Sequence, residues 1–319
     1  MNKFLSHCVV MFLTLSVSNV YAGPFAYITN QGAHTVSVVD LDTNKVTATI
    51  PVGKSPVGVA IDALKNRLYI TNVDGRSVSM IDTTSNKVLR EIKLDIAPVG
   101  IVLSKTGEQL FVADWFNDHV LVFDTTSLKK IASIASAKAP AGMVLSRDGT
   151  TLYVANRDSD DVSVVDAHTF KVLKTIAVGK HPFGISLSGD GKAIYSVNVY
   201  GNSVSVIDVQ RNAVAATIPV GNHPYCATSN PDGSMIYVTN TGEDTVSVID
   251  TKLQKVIASI RVDGTPEGIS YDAKHQRVYV ASWMDDALTI IDAKTNLKIG
   301  SIPTGSQSRA FGQFIGASD

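Results

Sequence analysis

Five residues with the means to do chemistry stand at matched points of one recurring hexad. The position before its proline reads Ser55, Ala97, Ala139, His181, His223 and Thr265. The position before its glycine reads Val57, Val99, Ala141, Phe183, Tyr225 and Glu267, and Cys226 replaces the glycine once. Where the early copies are bland, the later ones carry imidazole, phenol, thiol and carboxylate, with Lys54, Lys138 and Lys180 beside the hexads. Imidazole, thiolate and carboxylate together suit zinc or another transition metal. The spacing matches no metal motif, and Cys226 also reads as one small residue in place of another. No metal or other cofactor is therefore assigned, and His181, His223, Cys226 and Glu267 are the set a metal would use. The same histidines could serve general acid–base chemistry in a metal-assisted, lactonase-like hydrolase or lyase. No catalytic signature accompanies them, so no catalytic residue is named.

A second set comprises Trp115, Phe116, Tyr200 and Trp283, with Arg76 and Arg157 between them. Aromatic side chains on polar loops are frequent partner contacts, and a tryptophan at a loop base is as often a packing plug. With arginine they could also stack unpaired bases. The same loops hold many acids, among them Asp74, Asp95, Asp118, Asp158, Asp160, Asp244 and Asp286, against fewer bases. An acidic surface repels phosphate, which disfavours nucleic acid.

The elements that must position these residues repeat. A tetrad runs YITN from Tyr27 and Tyr69, FVAD from Phe111, YVAN from Tyr153, YSVN from Tyr195, YVTN from Tyr237 and YVAS from Tyr279, each 42 residues after the last. A second strand ends in Asp at 40, 82, 124, 166, 208, 250 and 292 with the same step. That period, built of short Val-, Ile-, Tyr- and Thr-rich runs, marks a propeller or a solenoid. The fourth copy gives four strands, 142–146, 151–155, 162–166 and 172–178, designated A to D. Asp148-Gly149, Asp190-Gly191 and Asp232-Gly233 are hairpin turns between A and B. The Asp ending each strand C should cap the following turn, and the Asn ending most B strands should cap the B–C loop. Seven metal-binding aspartates are the competing idea, but they fall on separate blades. The Ser at the second position of most C strands suits close sheet-to-sheet approach.

Phase distinguishes a ring from an open stack. The first sheet lacks its own strand A, whereas after the last strand D the chain adds Ala310-Phe311-Gly312-Gln313-Phe314-Ile315, which resembles Pro182 to Leu187. An open solenoid would carry polar capping repeats instead. The expectation is an all-β, seven-bladed propeller with four antiparallel strands per blade, the first blade closed by 311–315 beside 25–29. Strand alternation then puts the D–A and B–C loops on one face, where binding residues concentrate.

Hydrophobic residues make up 45% and charged residues 18% of the 319, which excludes a disordered chain and leaves one large domain. Residues 1–22 read as a secretory signal peptide: Lys3, an apolar run to Val20, and a small-residue site ending at Ala22. The run is short for a transmembrane anchor and carries one flanking charge. Cleavage would remove Cys8 and leave Cys226 alone, so no intramolecular disulfide would form. The net charge of −1 over the whole chain directs it to no particular partner.

The tetrads, the SVID-type strands and the hexads at 53–58, 179–184 and 221–226 resemble those of the YVTN-repeat β-propeller family. The resemblance spans the chain after residue 22. It implies a secreted or periplasmic protein, or a surface-layer part, and one periplasmic branch of the family is associated with single-stranded DNA. The repeat itself is silent on activity. The sequence thus points to an exported, monomeric, non-catalytic propeller without a membrane anchor. It would bind a protein, peptide or small ligand through Lys54, Trp115, Lys138, Arg157, Lys180, His181, Tyr200, His223, Tyr225, Glu267 and Trp283.

Overall fold

The computed structural model describes residues 25–316, so the signal peptide expected over residues 1–22 lies outside the described residues. Seven antiparallel sheets form seven blades, six of four strands and one of three. Blade 4 is representative: strand A is Pro140–Leu145, B Thr151–Asn156, C Asp161–Asp166 and D Val172–Ala177. Strand A is the inner edge of each sheet and strand D the outer one. Burial follows that order. The B strands of blades 1 to 7 bury almost every side chain, and each D strand buries at most one.

The repeated residues hold the blades together in repeated ways. Tyr27, Tyr69, Phe111, Tyr153, Tyr195, Tyr237 and Tyr279 are all buried. Burial pushes the hydroxyls of Tyr27, Tyr195 and Tyr237 up to about 12. Several reach the C–D turn of the following blade, as where Tyr153 Oη donates to Asn212 Oδ1 at 2.8 Å and Tyr279 Oη to Asn44 Oδ1 at 3.1 Å. The Thr of the tetrad bridges blades: Thr71 Oγ1 accepts from Gly58 N at 2.7 Å and donates to Val99 O of the next blade at 2.8 Å.

Every Asp that ends a strand C accepts backbone amides of its own turn, as Asp166 Oδ1 does from His168 and Thr169 at 2.9 and 2.7 Å. The Asn ending strand B behaves differently from the loop cap expected of it. Asn72 Nδ2 donates to Ser77 Oγ at 3.0 Å and Ser79 Oγ at 2.9 Å on strand C, and Asn30, Asn156, Asn198 and Asn240 repeat the arrangement. The strand C serines are thus hydrogen-bond acceptors inside their own sheet, not merely small spacers. A buried amide needs such partners. The loop glycine makes room for it: a Cβ on Gly53 would lie 2.6 Å from the Asn72 amide.

The ring closes as the phase predicts. Arg309 N donates to Thr29 O at 2.8 Å and Tyr27 N to Phe314 O at 2.9 Å. Ala310 N donates to Thr29 Oγ1 at 2.8 Å, which repeats the Gly58–Thr71 contact. The closing segment departs from the repeat after Ala310. Ile61 pairs with Leu68 in blade 2, so Gln313 should face Ala26, yet Ile315 does. The two extra residues turn out at Gly312, whose φ of 116 suits glycine, while Phe311 exchanges hydrogen bonds with Val57 and Val59 of blade 2. Phe311, Phe314 and Ile315 are buried.

Candidate functional site

At the D–A and B–C face the axis is closed. The position before the hexad glycine brings Val57, Val99, Ala141, Phe183, Tyr225 and Glu267 to the centre, and Arg309 supplies the seventh member from the closing segment. Val57, Ala141 and Phe183 are buried. The Phe183 ring lies 4.4 Å from Tyr225, 4.8 Å from Phe311 and 5.5 Å from Trp115, centroid to centroid. Beside this aromatic plug the Arg309 Nε sits 2.6 Å from Glu267 Oε2, and Arg309 Nη2 donates to Tyr225 Oη at 2.5 Å. Gln31 Oε1 accepts from Arg309 Nη1 and from Trp283 Nε1, both at 3.2 Å.

Electrostatics follow from that burial. It raises the Glu267 carboxyl above its ordinary range, against the opposing pull of Arg309. It also lifts the Tyr225 hydroxyl and the Cys226 thiol well above their usual values, so neither is an anion near neutrality. Burial disfavours a charged Arg309, but Tyr225 and Glu267 outweigh it and hold the guanidinium protonated.

Further from the axis a ladder of rings lies on the surface. The Arg157 guanidinium stands 5.2 Å from the Trp115 ring centroid and 6.0 Å from that of Tyr200, and its Nη1 is 2.8 Å from Asp158 Oδ1. Tyr200 packs against His181 at 4.4 Å and His223 at 5.7 Å. Tyr200 is 54% exposed and His223 is exposed too, while Trp115, Arg157 and His181 are half-buried, so the ladder shows one side to solvent. Both histidines sit in left-handed backbone, with φ of 54 and 48, as do Ser55, Ala139, Thr265 and Gln307 at the same place in other loops. Histidine tolerates that region better than most side chains, which gives the pair a structural reason to be there as well.

The structure therefore brings together Trp115, Arg157, His181, Tyr200 and His223. It sets Tyr225 and Glu267 in the plug, with Cys226 next to them, and links Trp283 to the plug through Gln31. Lys54, Lys138 and Lys180 contribute backbone groups to the loops: Gly75 N donates to Lys54 O, Lys138 N to Ser159 Oγ, and Tyr200 N to Lys180 O. Among the described residues no three His, Cys, Asp or Glu side chains are placed to hold a metal ion. Tyr200 lies between the two histidines, and Glu267 is taken by Arg309.

Several acids that read as surface charge are scaffolding. Asp118, Asp160, Asp244 and Asp286 accept the backbone amides of Ala139, His181, Thr265 and Gln307 in the adjoining D–A loop, at 2.9, 2.8, 2.8 and 2.6 Å. Asn202 does the same for His223 at 3.0 Å. Arg309 was visible as a base but not as Glu267's partner. The signal was present, since it falls 42 residues after Glu267 at the same hexad position.

The opposite end of the axis is open. A cavity of about 700 Å³ runs up from the A–B turns, walled by the inner strands and ending at Cys226 and Phe311. Of the candidate metal and ligand residues named from the sequence, Cys226 alone lines it, beside Phe311, Gly312, Gln313 and Ile315 of the closing segment.

The family model described as YNCE-like beta-propeller matches residues 185–277, and that described as Glutamine cyclotransferase matches residues 58–230, just over half of the chain. No curated protein matches the sequence significantly. Among solved structures the chain is similar to Kuenenia stuttgartiensis hydrazine synthase, at 21% identity and a TM-score of 0.75 over 89% of this chain and 99% of that one. It is similar to a functionally unknown protein from Desulfotomaculum acetoxidans DSM 771, at 15% identity and a TM-score of 0.78 over 90% of this chain and 99% of that one. A third is the dihydro-heme d1 dehydrogenase NirN in complex with DHE, at 18% identity and a TM-score of 0.69 over 91% of this chain and 66% of that one. At these identities the likeness is one of fold. With its repeat matched by one family model and more than half of its length by the other, the chain belongs to the YVTN-type β-propellers, YNCE-like and glutamine cyclotransferase-like in sequence.

Proposed function

We propose that this propeller is an exported binding protein, freed of residues 1–22, that recognises a polypeptide segment bearing basic and aromatic side chains at its D–A and B–C face. The observation that carries the reading is the ladder Trp115, Arg157, Tyr200, His181 and His223, exposed at Tyr200 and His223 and half-buried at the other three, fixed on a rigid ring. Aromatic side chains offer large contact area at small entropic cost, and preformed clusters of this kind act as anchors in interfaces. The surrounding loops carry more acid than base, and Arg157 is itself paired with Asp158. That balance favours a cationic partner, whose encounter it would steer.

Catalysis is not part of this reading. The thiol of Cys226 is buried and protonated, and the Glu267 carboxylate is held by Arg309. Both lie where a nucleophile or base would have to be free.

The second reading is single-stranded nucleic acid, because the same ladder of rings and guanidinium could stack bases. Both readings are tested with one pair of proteins, the wild type and the Trp115→Ala/Tyr200→Ala variant. A basic, aromatic-rich peptide library should bind the wild type and lose about tenfold or more on the variant, since one tenfold step is about 1.4 kcal/mol. Oligothymidylate should bind weakly to both. Tight, salt-sensitive binding of oligothymidylate that the variant loses would replace the peptide reading by the nucleic-acid one. Binding of the peptides that ignores the variant would refute the peptide reading.

A further inference from the structure

We propose that the axial cavity on the opposite face is a second binding site, for a compact, uncharged and largely apolar small molecule that enters between the A–B turns. Its volume of about 700 Å³ falls in the range of small-molecule sites. The plug at the far end makes it a blind cup and not a through channel.

The wall repeats with the blades. Each inner strand contributes one apolar side chain at the same repeat position, among them Val59, Ile101, Met143, Ile185 and Ile269, and the closing segment adds Phe311 as the seventh. Water is held in a cavity by two to four polar partners. The uncharged polar side chains in the wall are Ser104, Ser186, Thr228, Ser229, Tyr271 and Gln313. One of them, Ser186 Oγ, is buried with no hydrogen-bond partner. The inner strands are also sheet edges, and an edge keeps backbone N–H and C=O groups free to bond an incoming group. The cup thus offers apolar contact all round and a small number of hydrogen bonds.

Charge is confined to the mouth. Lys105 and Asp272 line it there, and Asp272 Oδ2 is engaged by His275 Nδ1 at 2.5 Å. No charged side chain lines the inner part. Cys226, its thiol held protonated by burial, completes the blind end as a small apolar group. A ligand with a charge inside the cup would be desolvated without a partner.

The probe is N-phenyl-1-naphthylamine, a neutral apolar fluorophore, added to the whole mature protein. Fluorescence should rise saturably to about one probe per chain. Ala227→Trp, which fills the cup, should weaken binding at least tenfold, and the Tyr200→Ala/His223→Ala variant on the other face should leave it unchanged. If Ala227→Trp does not fold, as judged by circular dichroism, Gln313→Trp serves in its place, because Gln313 is exposed at the mouth. The anionic relative 1-anilinonaphthalene-8-sulfonate should bind at least tenfold more weakly. Absence of saturable uptake, uptake indifferent to the filling variants, loss in the other-face variant, or equal affinity for the anionic probe would each overturn the assignment. Because the two faces are probed by separate variants, failure here leaves the peptide reading standing, and the reverse holds.

Discussion

Two ionic contacts cross the junction between the last blade and the first, one at each end of the axis, and they differ in kind. At the closed end Glu267 and Arg309 are paired at 2.6 Å, with side chains only 11% and 21% exposed. At the open end Asp42 meets Lys274 Nζ at 2.6 Å and His275 Nε2 at 2.8 Å, with Asp42 and Lys274 each nearly half exposed. Around the closed end the hexad residues turn large and aromatic and fill the centre. Around the open end the repeat position stays apolar and the centre remains hollow. Strand direction gives a ring of equal modules two unlike faces, but it does not set which of them is filled at the axis. Which end is sealed depends on a few residues that break the repeat.

The most damaging change removes the closing segment. Truncation before Gly305 deletes Arg309 from the plug and exposes the sites of Phe311, Phe314 and Ile315, worth about 5 to 9 kcal/mol at about 1.5 to 3 per apolar side chain. Since domains are stable by about 5 to 15 kcal/mol, the shortened chain should not fold. A cooperative melt followed by circular dichroism would break the claim that both ends rely on it.

Next comes the buried pair. Arg309→Met strands the Glu267 carboxylate and should cost about 3 to 5 kcal/mol in urea unfolding, whereas Glu267→Leu/Arg309→Met should recover most of that loss. Equal losses in the single and double variants would show that packing, and not charge, seals this end.

The smallest effect belongs to the open end. Hydrogen bonding to Lys274, with its charge and that of His275, holds the Asp42 carboxyl below its ordinary value. A carboxyl whose folded pKa is depressed contributes stability that is complete above its unfolded value, near 3.9, and is lost as pH falls through the folded value. Melting temperatures of the wild type and Asp42→Asn should therefore differ slightly at pH 6 and converge as the pH falls through the folded value. A gap that persists in acid would mean the contact works by shape and not by charge.

Much of this was readable in one dimension. The 42-residue step fixed the number of blades, and the missing first strand A matched by Ala310 to Ile315 fixed the closure. The turn-capping aspartates were legible because the cap is local, within three residues. The role of Asn72 was misread as a loop cap because its partners, Ser77 and Ser79, lie on the next strand. In the copy where strand B ends in Asp114, strand C carries Leu121 in place of that Ser, a covariation already present in the repeat. The sequence grouped His181 and His223 with Tyr225, Cys226 and Glu267, and Trp115, Arg157 and Tyr200 in a second set; the ladder draws members from both. Its separation from Glu267 by a plug was not foreseeable.

The sequence alone determined the ring, its seven modules and the loops that share a face, because these follow from period and strand direction. Tertiary structure decided that the face richest in chemistry is sealed on its axis, that Glu267 finds Arg309, and that the hollow opens at the other end. Those outcomes depend on side-chain volumes summed around a circle and on contacts between residues brought together only when the circle closes.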